Sequence, residues 1–172
     1  MHYFWVPFLP MLGIIVPLLS NRLSRSACAF ATALLPALAL ALILLDMPSV
    51  LQGQAFVDSI EWIPQLGLSL SFRLDGLSVL FSLLILGIGL LVILYARYYL
   101  SEKDHMGRFY CYLIMFMTAM LGIVLSNNLL QLWFFWELTS LSSFLLISFW
   151  SQKSESRKGA RMALTVTGAG GF

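Results

Sequence analysis

Along the chain, apolar residues gather into long unbroken runs instead of alternating with polar ones. Runs fall at 3–19, 27–45, 76–96, 109–125 and 129–150, and a sixth opens near residue 160. Each complete run approaches the roughly 20 residues that a helix, rising about 1.5 Å per residue, needs to cross a hydrocarbon layer of about 30 Å. Membrane strands would instead show alternating segments of about ten residues. Lipid offers the backbone no hydrogen bonds, so helices are the expected spans. The sixth run holds thirteen residues, from Ala160 to Phe172, which at about 1.5 Å each falls short of a crossing. The pattern predicts an all-α polytopic membrane protein of five complete transmembrane helices plus a truncated sixth. Residues 1–172 are expected to be the N-terminal part of a longer transmembrane domain.

The connection between the second and third helices follows another period. In LGLSLSFRLD, Leu66, Leu68, Leu70, Phe72 and Leu74 alternate with small or polar residues, as in a strand with one buried face. The stretch from Phe56 to Ile63 is rich in β-prone residues and is followed by Pro64. A β-hairpin over 56–74, turning through Pro64 to Gly67, is therefore expected. Asp75, just before Gly76 and Leu77, reads as the N-cap of the third helix. Arg73 and Asp75 take structural roles in this reading, one at a strand end and one as a cap.

Composition agrees with the spans: 60% of residues are hydrophobic and 10% charged, against about 45–50% apolar and about 25% charged in soluble domains. The net charge of +2 and the scatter of the ten basic residues exclude a nucleic-acid surface. Their placement reports topology instead. Arg22 and Arg25 follow the first helix, Arg97, Lys103 and Arg108 the third, and Lys153, Arg157, Lys158 and Arg161 the fifth, while Arg73 alone falls on the other side. Basic loops stay in the cytoplasm, so the N-terminus is expected outside and the hairpin extracytoplasmic. The first run is no secretory signal, because its positive residues come after it.

Candidate chemistry is sparse. Cys28 and Cys111 open different runs without metal or redox spacing and read as small buried hydrophobes. His2 sits at the terminus and His105 in a charged loop, and neither is assigned a role. There is no nucleophile, base and orienter set and no metal constellation, so no catalysis, cofactor or metal is expected. Ala29, Ala33, Ala37 and Ala41 recur every four residues and predict a smooth packing face. Pro36, and Pro7, Pro10 and Pro17 in the first run, predict kinks of a kind tolerated in lipid. The pairs Gly87/Gly89 and Gly168/Gly170 follow no strand and read as packing glycines, not dinucleotide loops.

One residue departs from this blandness. In WFFWELTSLSS, Glu137 is the one acidic residue of eight that lies far from the end of a run. An ionised carboxylate at that depth costs at least about 2.5–3.5 kcal/mol, and residues kept at such a cost mark ion and proton paths. At about 100° per residue, Leu130, Trp133, Glu137, Ser140, Leu141, Phe144 and Ser148 share a helix face. Ser140 and Ser148 thus become candidate polar companions, with Thr139 on a neighbouring face. Each hydroxyl can equally bond the preceding turn of its own helix. Loss of water favours a neutral carboxyl and a nearby cation the charged form, so a glutamate here can change state as a basic partner approaches or withdraws. All ten basic residues lie at helix ends or in loops. Either Glu137 rests protonated, or its partner lies beyond Phe172 or on another chain.

The stretches FRLDGLSVLFSLLILGIGLLVILYARYYLSE, FYCYLIMFMTAMLGIVLSNNLLQLWFFWELTSLSSFLLISFW and SRKGARMALTVTGAGG resemble the large A subunit of the multisubunit Mrp-type cation/proton antiporters. That family is related to the antiporter-like membrane subunits of respiratory complex I. Phe135-Trp136-Glu137-Leu138-Thr139-Ser140 and Ser142-Ser143-Phe144 follow the Mrp pattern, whereas the distal complex I subunit usually has glycines around the Trp-Glu pair and Cys-Ser-Tyr downstream. The resemblance implies a large bundle with inverted repeats and broken helices, a bacterial inner-membrane location, and other membrane subunits of a hetero-oligomeric complex as partners. It also implies monovalent cations and protons as cargo, and a lysine two helices later as the partner of Glu137. Two functions follow: exchange of cytoplasmic Na+ or another monovalent cation for external protons, with Glu137 in the proton path, or proton pumping as a subunit of an NADH:quinone oxidoreductase. A purely structural or assembly subunit is a third.

Overall fold

The computed structural model describes residues 5–18, 24–63, 65, 68–101 and 104–171. The first apolar run is not one helix over its described part. It forms α1 (Phe8–Leu12) and α2 (Ile15–Leu18), separated by a turn in which the Gly13 N–H donates to Pro10 O at 2.8 Å and the Ile14 N–H to Met11 O at 3.0 Å. Pro17 leaves the Gly13 carbonyl without the N–H that a continuous helix would bring to it. The expected ends of this run, at Tyr3 and Leu19, lie outside the described residues. So do His2, Arg22, Pro64, Leu66, Gly67, Lys103 and Phe172.

The remaining runs form α3 (Arg25–Leu51), α4 (Gly76–Tyr99), α5 (Met106–Leu125) and α6 (Leu129–Ile147), the four described helices long and apolar enough to cross a membrane. The chain continues into α7 (Ser154–Gly171). α7 starts before the expected residue 160, so Arg157, Lys158 and Arg161 belong to the helix and not to a loop. α3 begins at Ser24, whose hydroxyl accepts from the Ala27 N–H at 3.2 Å, and runs through both Pro36 and Pro48. Its buried positions are Cys28, Ala29, Thr32, Pro36, Ala39, Ile43 and Val50, so the expected alanine face is corrected. A spacing of four overshoots a turn of 3.6 residues, the stripe drifts round the helix, and Ala37 and Ala41 end up exposed.

The hairpin is present as β1 (Phe56–Ile63) and β2 (Leu68–Leu74), antiparallel from Phe56↔Leu74 to Ile63↔Leu68 with an irregularity between Glu61 and Ile63. Alternation does its expected work near its end, where Phe72 and Leu74 are buried and Arg73 is exposed. Asp75 then caps α4 reciprocally: the Ser78 N–H donates to Asp75 Oδ1 at 3.0 Å and the Asp75 N–H to Ser78 Oγ at 2.7 Å. This is the capping box, which satisfies two backbone donors at once. Arg73 Nε completes the group 3.0 Å from Asp75 Oδ2.

α5 is the central pillar, in contact with α1, α2, α3, α4, α6 and β2. Two glycines permit its close approaches. A Cβ at Gly89 of α4 would collide with Met117, and one at Gly122 would collide with the Phe135 ring of α6. Gly87, Gly168 and Gly170 face open space, so of the two glycine pairs expected to pack, only Gly89 does. At the end of the bundle remote from the hairpin, the Arg25 guanidinium donates to the carbonyls of Arg97 and Leu100, supplying partners that the end of a helix lacks. Trp150 Nε1–H donates to Asp104 Oδ1 at 3.1 Å, so the described basic connections gather at that end.

Candidate functional site

The start of α6 is fastened to the hairpin by polar contacts. The Asn127 N–H donates to Ser71 O at 2.9 Å, Asn127 Nδ2 to Ser71 Oγ at 3.2 Å and Asn128 Nδ2 to Ser69 O at 3.3 Å. The Ser71 N–H donates to Gln131 Oε1 at 2.8 Å, and Asn128 Oδ1 caps α6 by accepting from the Leu130 N–H at 2.9 Å. Phe72, fully buried, lies with its ring centroid 5.8 Å from Phe8 and 6.3 Å from Phe135. One aromatic side chain thereby joins α1, the hairpin and α6.

From this anchor α6 presents two opposed seams. Gln131, Phe135 and Ser142 are buried, fall within about 40° of one another at about 100° per residue, and face the hairpin and α5. On the other side, Trp133, Trp136, Glu137 and Ile147 meet α7. The expected grouping of Trp133, Glu137 and Ser140 holds as a helix side, and Ser140 on it is buried.

Glu137 sits midway along the 19-residue α6. Its Oε1 is buried and has no hydrogen-bond partner among the described residues. This oxygen lies against Gly171 of α7: a Cβ at Gly171 would collide with Oε1 and come within 3.2 Å of Trp136 Cδ1. The Trp133 Nε1–H donates to Gly171 O at 3.0 Å. Beside this junction opens a cavity of about 390 Å³, lined by Leu129, Leu130, Trp133, Trp136, Gly170 and Gly171 among others. The arrangement places a carboxyl oxygen, an acceptor of protons and hydrogen bonds, within an apolar and aromatic seam.

The expected polar companions do not reach it. Thr139 Oγ1 donates to Trp136 O at 2.6 Å, Ser140 Oγ to Trp136 O at 3.3 Å and Ser148 Oγ to Leu145 O at 3.1 Å. All three bond the preceding turn of their own helix, the alternative open to short hydroxyl side chains in apolar surroundings. No ion pair to Glu137 occurs among the described residues, and no group of three or more His, Cys, Asp or Glu gathers there to hold a metal. The residues missed from sequence are Trp133, as a donor, and Gly171. The helical wheel places Trp133 beside Glu137, but nothing in the chain itself sets α7 in register with it.

Taken together, the membrane-length helices and the hairpin clamp define a polytopic membrane protein, with the Glu137 carboxyl midway along α6. Residues 62–110 match the family profile described as NADH-ubiquinone oxidoreductase (complex I), chain 5 N-terminus. Residues 126–172, which include Glu137 and Gly171, match that of the NADH:quinone oxidoreductase/Mrp antiporter transmembrane region. The Na(+)/H(+) antiporter subunit A1 of Staphylococcus haemolyticus (strain JCSC1435) is 44% identical over 165 residues, 95% of this chain and 20% of the relative. Its counterpart from Staphylococcus aureus is 43% identical over 95% of this chain and 21% of the relative. The chain thus spans about a fifth of the length of these curated relatives. A solved Mrp complex from Dietzia sp. DQ12-45-1b superposes with a TM-score of 0.86 at 31% identity, covering 99% of this chain and 18% of that one. The membrane-bound sulfane sulfur reductase, an archaeal respiratory membrane complex, shares the fold, with a TM-score of 0.69 at 20% identity over 83% of this chain and 22% of that one. The chain belongs to the family of antiporter-like membrane subunits that Mrp antiporters share with NADH:quinone oxidoreductases.

Proposed function

We propose that this chain is the N-terminal part of an A subunit in a multisubunit antiporter of the bacterial inner membrane, exchanging cytoplasmic Na+ or another monovalent cation for external protons. Glu137 takes up and releases the proton. The observation that carries this reading is the buried Oε1 of Glu137, midway along a membrane-length helix and without a partner among the described residues. A carboxylate there costs at least about 2.5–3.5 kcal/mol unless it is neutralised or paired, and structure alone supplies no return for that cost. The names of the Staphylococcus relatives support the choice of cargo. In this reading Arg25, Arg97, Lys153, Arg157, Lys158 and Arg161 lie on the cytoplasmic side, the hairpin and the N-terminus lie outside, and neighbouring membrane subunits complete the complex. A cation from outside the described residues meets Glu137 during the cycle.

Glu137→Gln in the assembled complex is expected to insert and assemble normally yet lose proton-coupled Na+ efflux in everted vesicles. Exchange at the wild-type rate overturns the role. The match of residues 62–110 to a complex I profile favours a second reading, a proton-pumping subunit of an NADH:quinone oxidoreductase. Purification from native membranes separates the two: flavin and iron–sulfur proteins copurify with a respiratory complex, and only small membrane subunits with an antiporter.

A further inference from the structure

Two features of the α6–α7 seam have no role in the helix ladder. A Cβ at Gly171 would meet the Glu137 carboxyl, which fills the space where that atom would sit and would have to swing aside. Trp133, one turn before Glu137 on the same side of α6, spends its indole N–H on the carbonyl of that same glycine, at 3.0 Å. The seam is therefore specific at one level only. Further along, Gly159 has no closer neighbour than Ile147 Cγ2, 3.8 Å from where its Cβ would be, and Gly168 and Gly170 face open space. A glycine demanded by general helix packing would be crowded by apolar side chains, as Gly89 is by Met117 and Gly122 by Phe135. At Gly171 the crowding atoms belong to the carboxyl and to the edge of the Trp136 indole.

We infer that Gly171 and Trp133 are positioning residues for the Glu137 carboxyl: the missing side chain of Gly171 makes the berth for Oε1, and the Trp133 indole holds α7 so that the berth keeps its place. An added methyl at Gly171 turns the carboxyl out of the seam, toward the exposed side of α6. Loss of the indole N–H lets the glycine backbone drift away. In both cases the carboxyl becomes easier to reach from the lipid phase. The functional meaning of this rests on the reading of Glu137 as the proton carrier, but carboxyl position can be read without measuring transport.

The test uses native membranes carrying the assembled complex, treated with a hydrophobic carbodiimide that reacts with protonated carboxyls, with modification at position 137 followed by mass spectrometry. Gly171→Ala is expected to speed labelling several-fold, because the displaced carboxyl is more exposed. In a Glu137→Asp background, where the shorter side chain leaves room for a methyl, the same Gly171→Ala change is expected to leave the rate unaltered. Equal acceleration in both backgrounds means general loosening of the helix pair and overturns the proposal, as does an unchanged or slower rate in the Glu137 background. Trp133→Phe keeps an aromatic ring and removes the donor, so it decides the matter if Gly171→Ala does not assemble. Labelling several-fold faster supports the tie, and labelling at the parental rate overturns it. Loss of exchange in Glu137→Gln bears on the proton-carrying role alone, so failure of either idea is visible without the other.

Discussion

The two seams of α6 make a useful contrast. Toward the hairpin and α5 the helix is held by paired groups: Asn127 and Asn128 on Ser71 and Ser69, Gln131 Oε1 on the Ser71 N–H, and Phe135 pressed on Gly122. Toward α7 the Trp133 indole donates to Gly171 O, and Glu137 Oε1 has no hydrogen-bond partner among the described residues. The difference is that between a joint and the proposed site. Ser82 Oγ of α4 and Thr118 Oγ1 of α5 are also buried without partners among the described residues, so what sets Glu137 apart is its carboxyl, the costliest of these groups to place in a span when ionised. Even the joint is not perfect, since Gln131 Nε2 also lacks a partner among the described residues.

If the contrast holds, substitutions on the two sides should fail in different ways. The largest effect is expected from Glu137→Gln, with exchange lowered by about a hundredfold or more, the range for loss of a proton-transfer group, and no change in the melting temperature of the purified complex. Phe72→Ala should do the reverse. Truncating this fully buried ring is expected to cost about 3–5 kcal/mol, seen as less assembled complex and a lower melting temperature, with normal exchange per surviving complex. Gly122→Ala drives a methyl into the Phe135 ring and should cost about 1–3 kcal/mol by overpacking, again in stability and not in exchange.

The smallest effect concerns the cap at Asp75. Its carboxyl lies outside the membrane span and is held below its ordinary value of 3.8, chiefly by the Ser78 N–H it accepts, with smaller help from the Ser78 hydroxyl and Arg73. A depressed carboxyl pKa means that the cap's contribution is complete above about pH 4 and is lost as pH falls through the lower folded value. Asp75→Ala should cost about 1 kcal/mol at neutral pH. Asp75→Asn, which keeps the acceptor, should hold the first turn of α4 and abolish its acid sensitivity, as measured by amide hydrogen exchange at Ser78.

Much of this architecture is legible without coordinates, for identifiable reasons. Run length sets the ends of α4, α5 and α6 to within three residues, because only a helix can bury so long an apolar stretch in lipid. Alternation through Phe72 and Leu74 and the aspartate before Gly76 give the hairpin and the cap. Features that depend on partners are not legible. The break between α1 and α2 is one such feature, since prolines interrupt the first run while α3 runs unbroken through Pro36 and Pro48. The alanine stripe misleads because four is not 3.6. Thr139, Ser140 and Ser148 carry the right chemistry for a polar path, yet a carbonyl one turn back is always nearer than a carboxyl across the helix face. Glu137 stands out by charge alone, whereas Gly171 has no chemistry to notice until α7 is laid beside it.

In the proposed mechanism Glu137 changes protonation as the complex turns over. Infrared difference spectroscopy on the intact complex, with and without an imposed Na+ gradient, reads the carboxyl directly. The account predicts a carbonyl band that appears or vanishes with turnover and is missing in Glu137→Gln. A Glu137 carboxyl whose band stays constant while exchange proceeds would contradict it.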